Sequence, residues 1–261
     1  MFVDSHCHLS FPELAGRIDA IRADMVAAGV DKALCICTTL EEFEAVHSLA
    51  RRFGNFWCSA GVHPDNEGVQ EPDVDDLVAL AARPRVVAIG ETGLDYYRLA
   101  GRDVQDMAWQ RDRFRVHIRA ACATGLPLVI HTRSASADTL AILREEGAER
   151  CGGVFHCFTE TMDVARAALD LGFYVSFSGI LTFKNATELQ DVARFVPLER
   201  CLIETDSPYL APVPFRGKTN TPALVPHVAA KLAELKDLDV REVAEATSAN
   251  FETLFKTSTK A

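Results

Sequence analysis

Five of the eight histidines, His6, His8, His63, His131 and His156, stand at or near the C-terminal ends of short apolar runs. Two carboxylates, Glu91 and Asp206, end two further runs of the same kind. Neutral imidazoles and carboxylates are the usual ligands of zinc, manganese and related divalent ions. His6, His8, Glu91, His131, His156 and Asp206 together offer more than the three protein ligands of an ordinary catalytic zinc. They suffice for two ions ~3.5–4 Å apart, bridged by a carboxylate and a water. A mononuclear or purely structural site is the alternative, although structural zinc sites are closed and cysteine-rich, which this set is not. His47, His117 and His227 lie in helical runs among charged neighbours and read as surface or helix-packing imidazoles.

Side chains alternate along a strand, so residues two apart share a face. His6 and His8 therefore point one way, with Cys7 opposite. On the matching face lie Val87, Ile89 and Glu91, then Val129 and His131, then Val154 and His156, then Leu202, Glu204 and Asp206. Each polar end group thus stands on a column of mainly apolar or small residues. Glu204, one layer deeper than Asp206, reads as a carboxylate that supports a ligand rather than binding metal.

The elements that must position these groups are eight apolar runs: Phe2–His8, Ala33–Thr39, Phe56–His63, Val86–Glu91, Pro127–His131, Gly153–Cys157, Phe173–Ser178 and Cys201–Asp206. Amphipathic stretches lie between them, including Glu13–Ala28, Gln105–Thr124, Ala135–Glu146 and Met162–Leu171. Gly29, Gly125, Gly147 and Gly172 follow these four as helix C-caps should. This alternation predicts parallel strands joined by right-handed crossovers, and eight units suit a closed (β/α)8 barrel of the TIM type. A last helix over Val240–Phe255 would be extra. With no low-complexity tract or Ser/Gly linker, residues 1–261 read as one domain. In such barrels the C-terminal strand ends carry the active site, which is where the histidines and carboxylates gather.

Composition agrees. The chain has 261 residues, 48% hydrophobic and 25% charged, enough for a sizeable core. The net charge of -10 argues against a broad basic surface for nucleic acid, so a polyanion would be held locally, by metal and a few cations. No apolar run is long enough to span a membrane, and the N-terminus reads as a strand rather than a targeting signal. The eight cysteines form no C-x-x-C and are expected to be reduced and mostly buried, as in a cytoplasmic protein.

Six motifs carry a resemblance: Asp4-Ser-His-Cys-His8, Gly61-Val-His-Pro64, Gly90-Glu-Thr-Gly-Leu-Asp-Tyr-Tyr97, Ile130-His-Thr-Arg133, Phe155-His-Cys-Phe158 and Glu204-Thr-Asp-Ser-Pro-Tyr-Leu210. In order and spacing the chain resembles the TatD family of metal-dependent deoxyribonucleases in the amidohydrolase superfamily, from Met1 to about Phe255. The stretch Ser207–Lys218 is similar to the bacterial subgroup described only as metal-dependent hydrolases. The resemblance implies that His6, His8, Glu91 and Asp206 bind one metal, and that Glu91 bridges to a second held by His131 and His156. It implies that Asp206 takes a proton from the attacking water, and that His63 contacts the scissile phosphate. It also implies two divalent ions, zinc, manganese or magnesium. The implied reaction is hydrolysis of DNA phosphodiester bonds from 3′ to 5′ at single-stranded ends, or of a small phosphodiester, with no membrane and no obligate protein partner. An amide, lactone or ester hydrolase on a small molecule, as elsewhere in the superfamily, is the alternative. Tyr96, Tyr97, Arg98, Arg102, Arg133, Lys184, Arg216 and Lys218 lie in or just after loops that follow strands, where they can stack on bases or neutralise phosphates. Of these, Tyr96 and Arg133 are the expected substrate contacts.

Overall fold

Val3, Leu34, Trp57, Val87, Val129, Val154, Tyr174 and Leu202 come one from each of eight strands and pack into one buried cluster. The computed structural model, which describes residues 1–257, arranges those strands as β1 (Phe2–Cys7), β2 (Val30–Cys35), β3 (Phe56–Ala60), β4 (Val86–Asp95), β5 (Leu128–Arg133), β6 (Gly153–Phe155), β7 (Tyr174–Phe177) and β8 (Cys201–Ile203). All neighbours pair in parallel and in chain order. The ring closes just past the end of β8, where Asp206 N donates to His6 O at 3.0 Å and His8 N to Ser207 O at 2.8 Å. The fold is the expected TIM barrel.

The helices are α1 (Pro12–Ala15), α2 (Ile18–Ala27), α3 (Phe43–Arg52), α4 (Val74–Ala81), α5 (Ala108–Thr124), α6 (Ser136–Glu145), α7 (Met162–Asp170), α8 (Thr187–Phe195), α9 (Val225–Lys236) and α10 (Val240–Phe255). Their apolar faces and the outward side chains of the strands build a larger second cluster around the barrel. Local signals set their ends. Asp73 and Asp76 form a reciprocal capping box at the start of α4, and Gly125 closes α5 with φ 67°, a left-handed cap that glycine adopts at little cost. The extra helix α10 runs over the expected residues. It inserts Phe251 and Phe255 among the interior strand side chains, with Phe251 6.1 Å from the Trp57 ring. Among the described residues no helix is long and apolar enough to cross a membrane. All eight cysteines are free thiols.

Three differences from the sequence reading matter for the site. The helix expected over Glu13–Ala28 breaks at Gly16-Arg17, because Arg17 leaves helical geometry at φ -127° and ψ 16°. Strand β4 does not stop at Glu91 but runs on to Asp95. Within β4, Ile89 does not face the interior. Cys58 pairs with Val86 but Ser59 pairs with Ala88, so one residue is extra and Ala88 takes the inward place. Ile89 turns out to the helices, and a second irregularity between Ile89 and Thr92 brings Glu91 back inward.

Candidate metal centre

Near or just past the C-terminal ends of β1, β4, β5, β6 and β8 the six expected ligand residues converge on one point at the barrel mouth. His6 Nε2 lies 3.2 Å from His8 Nε2, 3.2 Å from Glu91 Oε2 and 3.6 Å from Asp206 Oδ1. His8 Nε2 lies 3.3 Å from Asp206 Oδ1 and 3.7 Å from Glu91 Oε2. Four donor atoms ~2.1 Å from one ion in tetrahedral geometry stand about 3.4 Å apart, so this spacing suits a metal at their centre.

The other oxygen of Glu91 faces a second group. Glu91 Oε1 is 2.8 Å from His156 Nε2, 3.3 Å from His131 Nδ1 and 3.4 Å from His63 Nε2. Glu91 Oε2 and His156 Nε2 are buried yet make no hydrogen bond, as expected where lone pairs point at a common centre rather than at each other. The donor set and its orphaned buried atoms fit divalent ions, and these His, Glu and Asp groups could bind metal.

The ring nitrogens that turn away from this centre set the role of each imidazole. His131 Nε2 lies 3.1 Å from Asp95 Oδ2, so it carries the proton and leaves Nδ1 as a lone pair toward Glu91. His156 Nδ1 lies 3.3 Å from Glu204 Oε1, an oxygen that also accepts from Cys157 N at 2.7 Å, which leaves His156 Nε2 inward. His63 is wired the opposite way. Its Nδ1 accepts from Asp65 N at 3.0 Å, and burial lowers its pKa, so the neutral ring carries its proton on the inward Nε2. His131 and His156 thus present acceptors to the centre and His63 presents a donor.

Asp95 is the site residue that sequence reasoning missed. The visible signal was its position four residues after Glu91, on the same strand face. It was hidden because the apolar run ends at Glu91, whereas the strand continues to Asp95. Gly93 makes the extension possible: it sits opposite His131, and a Cβ there would collide with the His131 carbonyl. Gln110 on α5 then holds the Asp95 backbone from both sides, at 2.9 and 3.0 Å. Asp206 has a local constraint of its own. Its φ of 55° is unusual for a non-glycine residue, and it is held there by the bond from Asp206 N to His6 O and by Tyr209 N donating to Asp206 O.

Electrostatics follow from crowding. Burial pushes the Glu91 carboxyl up, but the imidazoles of His156, His63 and His6 outweigh it and hold it well below its ordinary value. Burial likewise raises Asp206, and His8, His6 and His156 lower it further than that. Burial lowers His156, yet Glu91 and Glu204 lift it well above its usual value. Anionic carboxylates here demand positive charge, which a divalent ion supplies in place of protons.

An open pocket of about 750 Å³ lies over the centre, lined by His63, Glu91, His131, His156 and Asp206 at its floor and by Arg98 and Arg133 near its rim. Of the two expected substrate contacts, Arg133 lines it and Tyr96 does not. The Tyr96 ring is buried and its hydroxyl donates to Asp138 at 2.7 Å and accepts from Arg111 at 3.0 Å, while Tyr97 is the exposed neighbour. His117, read as a packing residue, is buried and accepts from Val62 N at 2.9 Å, next to His63. Arg113 on the same helix donates to His63 O and Asn66 O at 2.8 and 2.9 Å, so α5 fixes the loop that carries His63.

Comparisons with known proteins show the family. Residues 3–256 match the family model described as TatD related DNase. The chain is 50% identical over 257 residues to YcfH of Escherichia coli, described as an uncharacterized metal-dependent hydrolase, covering 97% of this chain and 95% of the relative. It is 35% identical over 243 residues to a 3′-5′ ssDNA/RNA exonuclease TatD of Citrobacter koseri, covering 91% and 92% of the two chains. The crystal structure of YJJV, a TatD homologue of Escherichia coli, superposes with a TM-score of 0.89 at 29% identity over 98% of each chain. A TIM barrel with imidazoles and carboxylates gathered at its mouth, matched over nearly its whole length, belongs to the TatD family and is a metal-dependent hydrolase.

Proposed function

We propose that the protein hydrolyses DNA phosphodiester bonds with two divalent ions, acting from 3′ to 5′ at single-stranded ends. The observation that carries this reading is the position of Glu91, whose two oxygens face two separate sets of imidazoles. His6, His8, Glu91 and Asp206 would hold one ion, and Glu91, His131 and His156 the other. Zinc or manganese suits so many imidazoles, and magnesium the carboxylates. Such a pair lowers the pKa of water toward neutrality and neutralises charge on a phosphate.

The protein's own groups then divide the work. Asp206 is the one carboxylate of the centre with appreciable exposure, and it accepts the proton of the attacking water. His63 donates from Nε2 to a non-bridging phosphate oxygen. Asp95 and Glu204 hold the tautomers of His131 and His156. Arg133, with no carboxylate partner among the described residues, meets a second phosphate. The relative named a 3′-5′ ssDNA/RNA exonuclease supports the substrate and direction.

The test is a panel assay on metal-loaded and chelated protein, with single-stranded oligonucleotides and bis-p-nitrophenyl phosphate set against esters, lactones and dihydropyrimidines. Metal-dependent shortening of 3′ ends is expected. Turnover confined to lactones or amides would overturn the phosphodiester reading in favour of an amidohydrolase.

A further inference from the structure

The pocket above the metal centre has two chemically different walls. The end of β5 supplies Arg133, whose guanidinium carbon lies 3.7 Å from the Tyr97 ring centroid, and the loop after β4 supplies Arg98. Loops after β1, β7 and β8 supply Phe11, Ile180, Tyr209 and Leu210, with no cation among them. Tyr209 follows Asp206 by three residues. The residue is 51% exposed and its ring stands edge-on to Phe11 at 6.3 Å, while Phe11 stacks on His8 at 4.6 Å.

An exposed tyrosine beside a metal centre is informative if its backbone is fixed, and here it is. The buried Asn220 donates to Tyr209 O at 2.7 Å and to Thr205 O at 2.9 Å, and Asn220 N donates to Pro208 O at 3.0 Å. The backbone is pinned on both sides while the ring face is left free to the pocket. A rigid, half-exposed aromatic loses little freedom when a flat group stacks on it.

Building on the phosphodiesterase reading above, we propose that the Tyr209–Phe11 corner is a nucleobase subsite. The base of a nucleotide flanking the scissile phosphate stacks on Tyr209, and the adjoining phosphate runs across the centre toward Arg133. A ligand with a flat, uncharged end and an anionic end matches both walls; a simple anion would use only one. Stacking accepts any base, so the subsite grips without reading sequence.

The test measures kcat/KM on short single-stranded DNA that carries a tetrahydrofuran abasic residue at the 3′-terminal or the penultimate position. Wild-type protein should lose roughly tenfold at one of these two positions. Tyr209→Ala should lose a similar factor on the fully based strand and show no further loss on the abasic one. Tyr209→Phe should behave as wild type, and metal content should be equal in all three. Wild-type cleavage that is indifferent to the missing base, or an undiminished abasic penalty in Tyr209→Ala, overturns the subsite alone. Failure of wild-type protein to cleave any oligonucleotide overturns the DNA-hydrolysis reading, and the subsite with it.

Discussion

The carboxylate of Asp95 stands 3.1 Å from His131 Nε2, and this contact decides which nitrogen of His131 faces the metal centre. A carboxylate behind a ligating imidazole fixes its tautomer and raises its basicity, and loss of such a partner typically weakens metal binding 10–100-fold. On the two-ion reading, Asp95→Asn should therefore weaken binding of the ion that His131 would hold by about that factor in a competitive metal titration. Oδ1 still accepts from Tyr97 N at 2.9 Å, so the loop should stay in place. Unchanged affinity at both sites would mean that His131 is oriented by something else.

His63 and His131 sit side by side, with Nε2 and Nδ1 3.4 Å apart, yet their replacement by alanine should give opposite metal analyses. His131→Ala removes an acceptor and should leave the protein depleted in metal and slow. His63→Ala removes a donor and should keep its metal while losing rate or affinity on phosphodiesters. Metal depletion in His63→Ala would reassign it as a ligand.

Asp206→Asn should fold and retain much of its metal but lose about 10²–10⁴-fold in turnover, since an amide cannot take the proton of water. Steady-state rates on purified, metal-replete variant check this. Turnover close to wild type would remove Asp206 from proton transfer.

His117 predicts a pH signature in stability rather than in rate. Burial pulls its pKa down from the model-compound value of 6.5 to about 4. Folding therefore favours the neutral ring. That contribution is complete above the unfolded value and is lost as pH falls from 6.5 toward 4, by on the order of 3 kcal/mol. His117→Gln, whose carbonyl can still accept from Val62 N, does not titrate. In metal-free protein its stability deficit should be largest above pH 6.5 and shrink toward pH 4. Asp4, which burial raises to about 7, acts in the opposite sense, but it does so in both proteins and cancels in the difference. Urea unfolding of both proteins across that range checks it, and a deficit independent of pH would show that His117 titrates normally when folded.

Sequence alone was enough for the architecture, because a parallel barrel imposes a strong local pattern. Its strands are buried on both sides and read as apolar runs, its helices are amphipathic, and its catalytic end is the C-terminal end of every strand. The residues gathered at the centre were legible for the same reason: polar groups ending apolar strands have nowhere to go but the mouth. Other features depended on contacts between segments distant in the chain. The outward turn of Ile89 follows from an extra residue in β4 measured against β3, and nothing in the order of residues marks it. Asp95 becomes a partner of His131 only because Gly93 lets β4 pass close to β5. Tyr96 and Tyr97 are interchangeable as letters, but packing buries one and exposes the other. Most of all, the chemistry of His63 against His131 and His156 lies in which ring nitrogen is already bound, to Asp65 N, Asp95 or Glu204. Periodicity assigns a side chain to a face; only the packed neighbours behind it assign the proton.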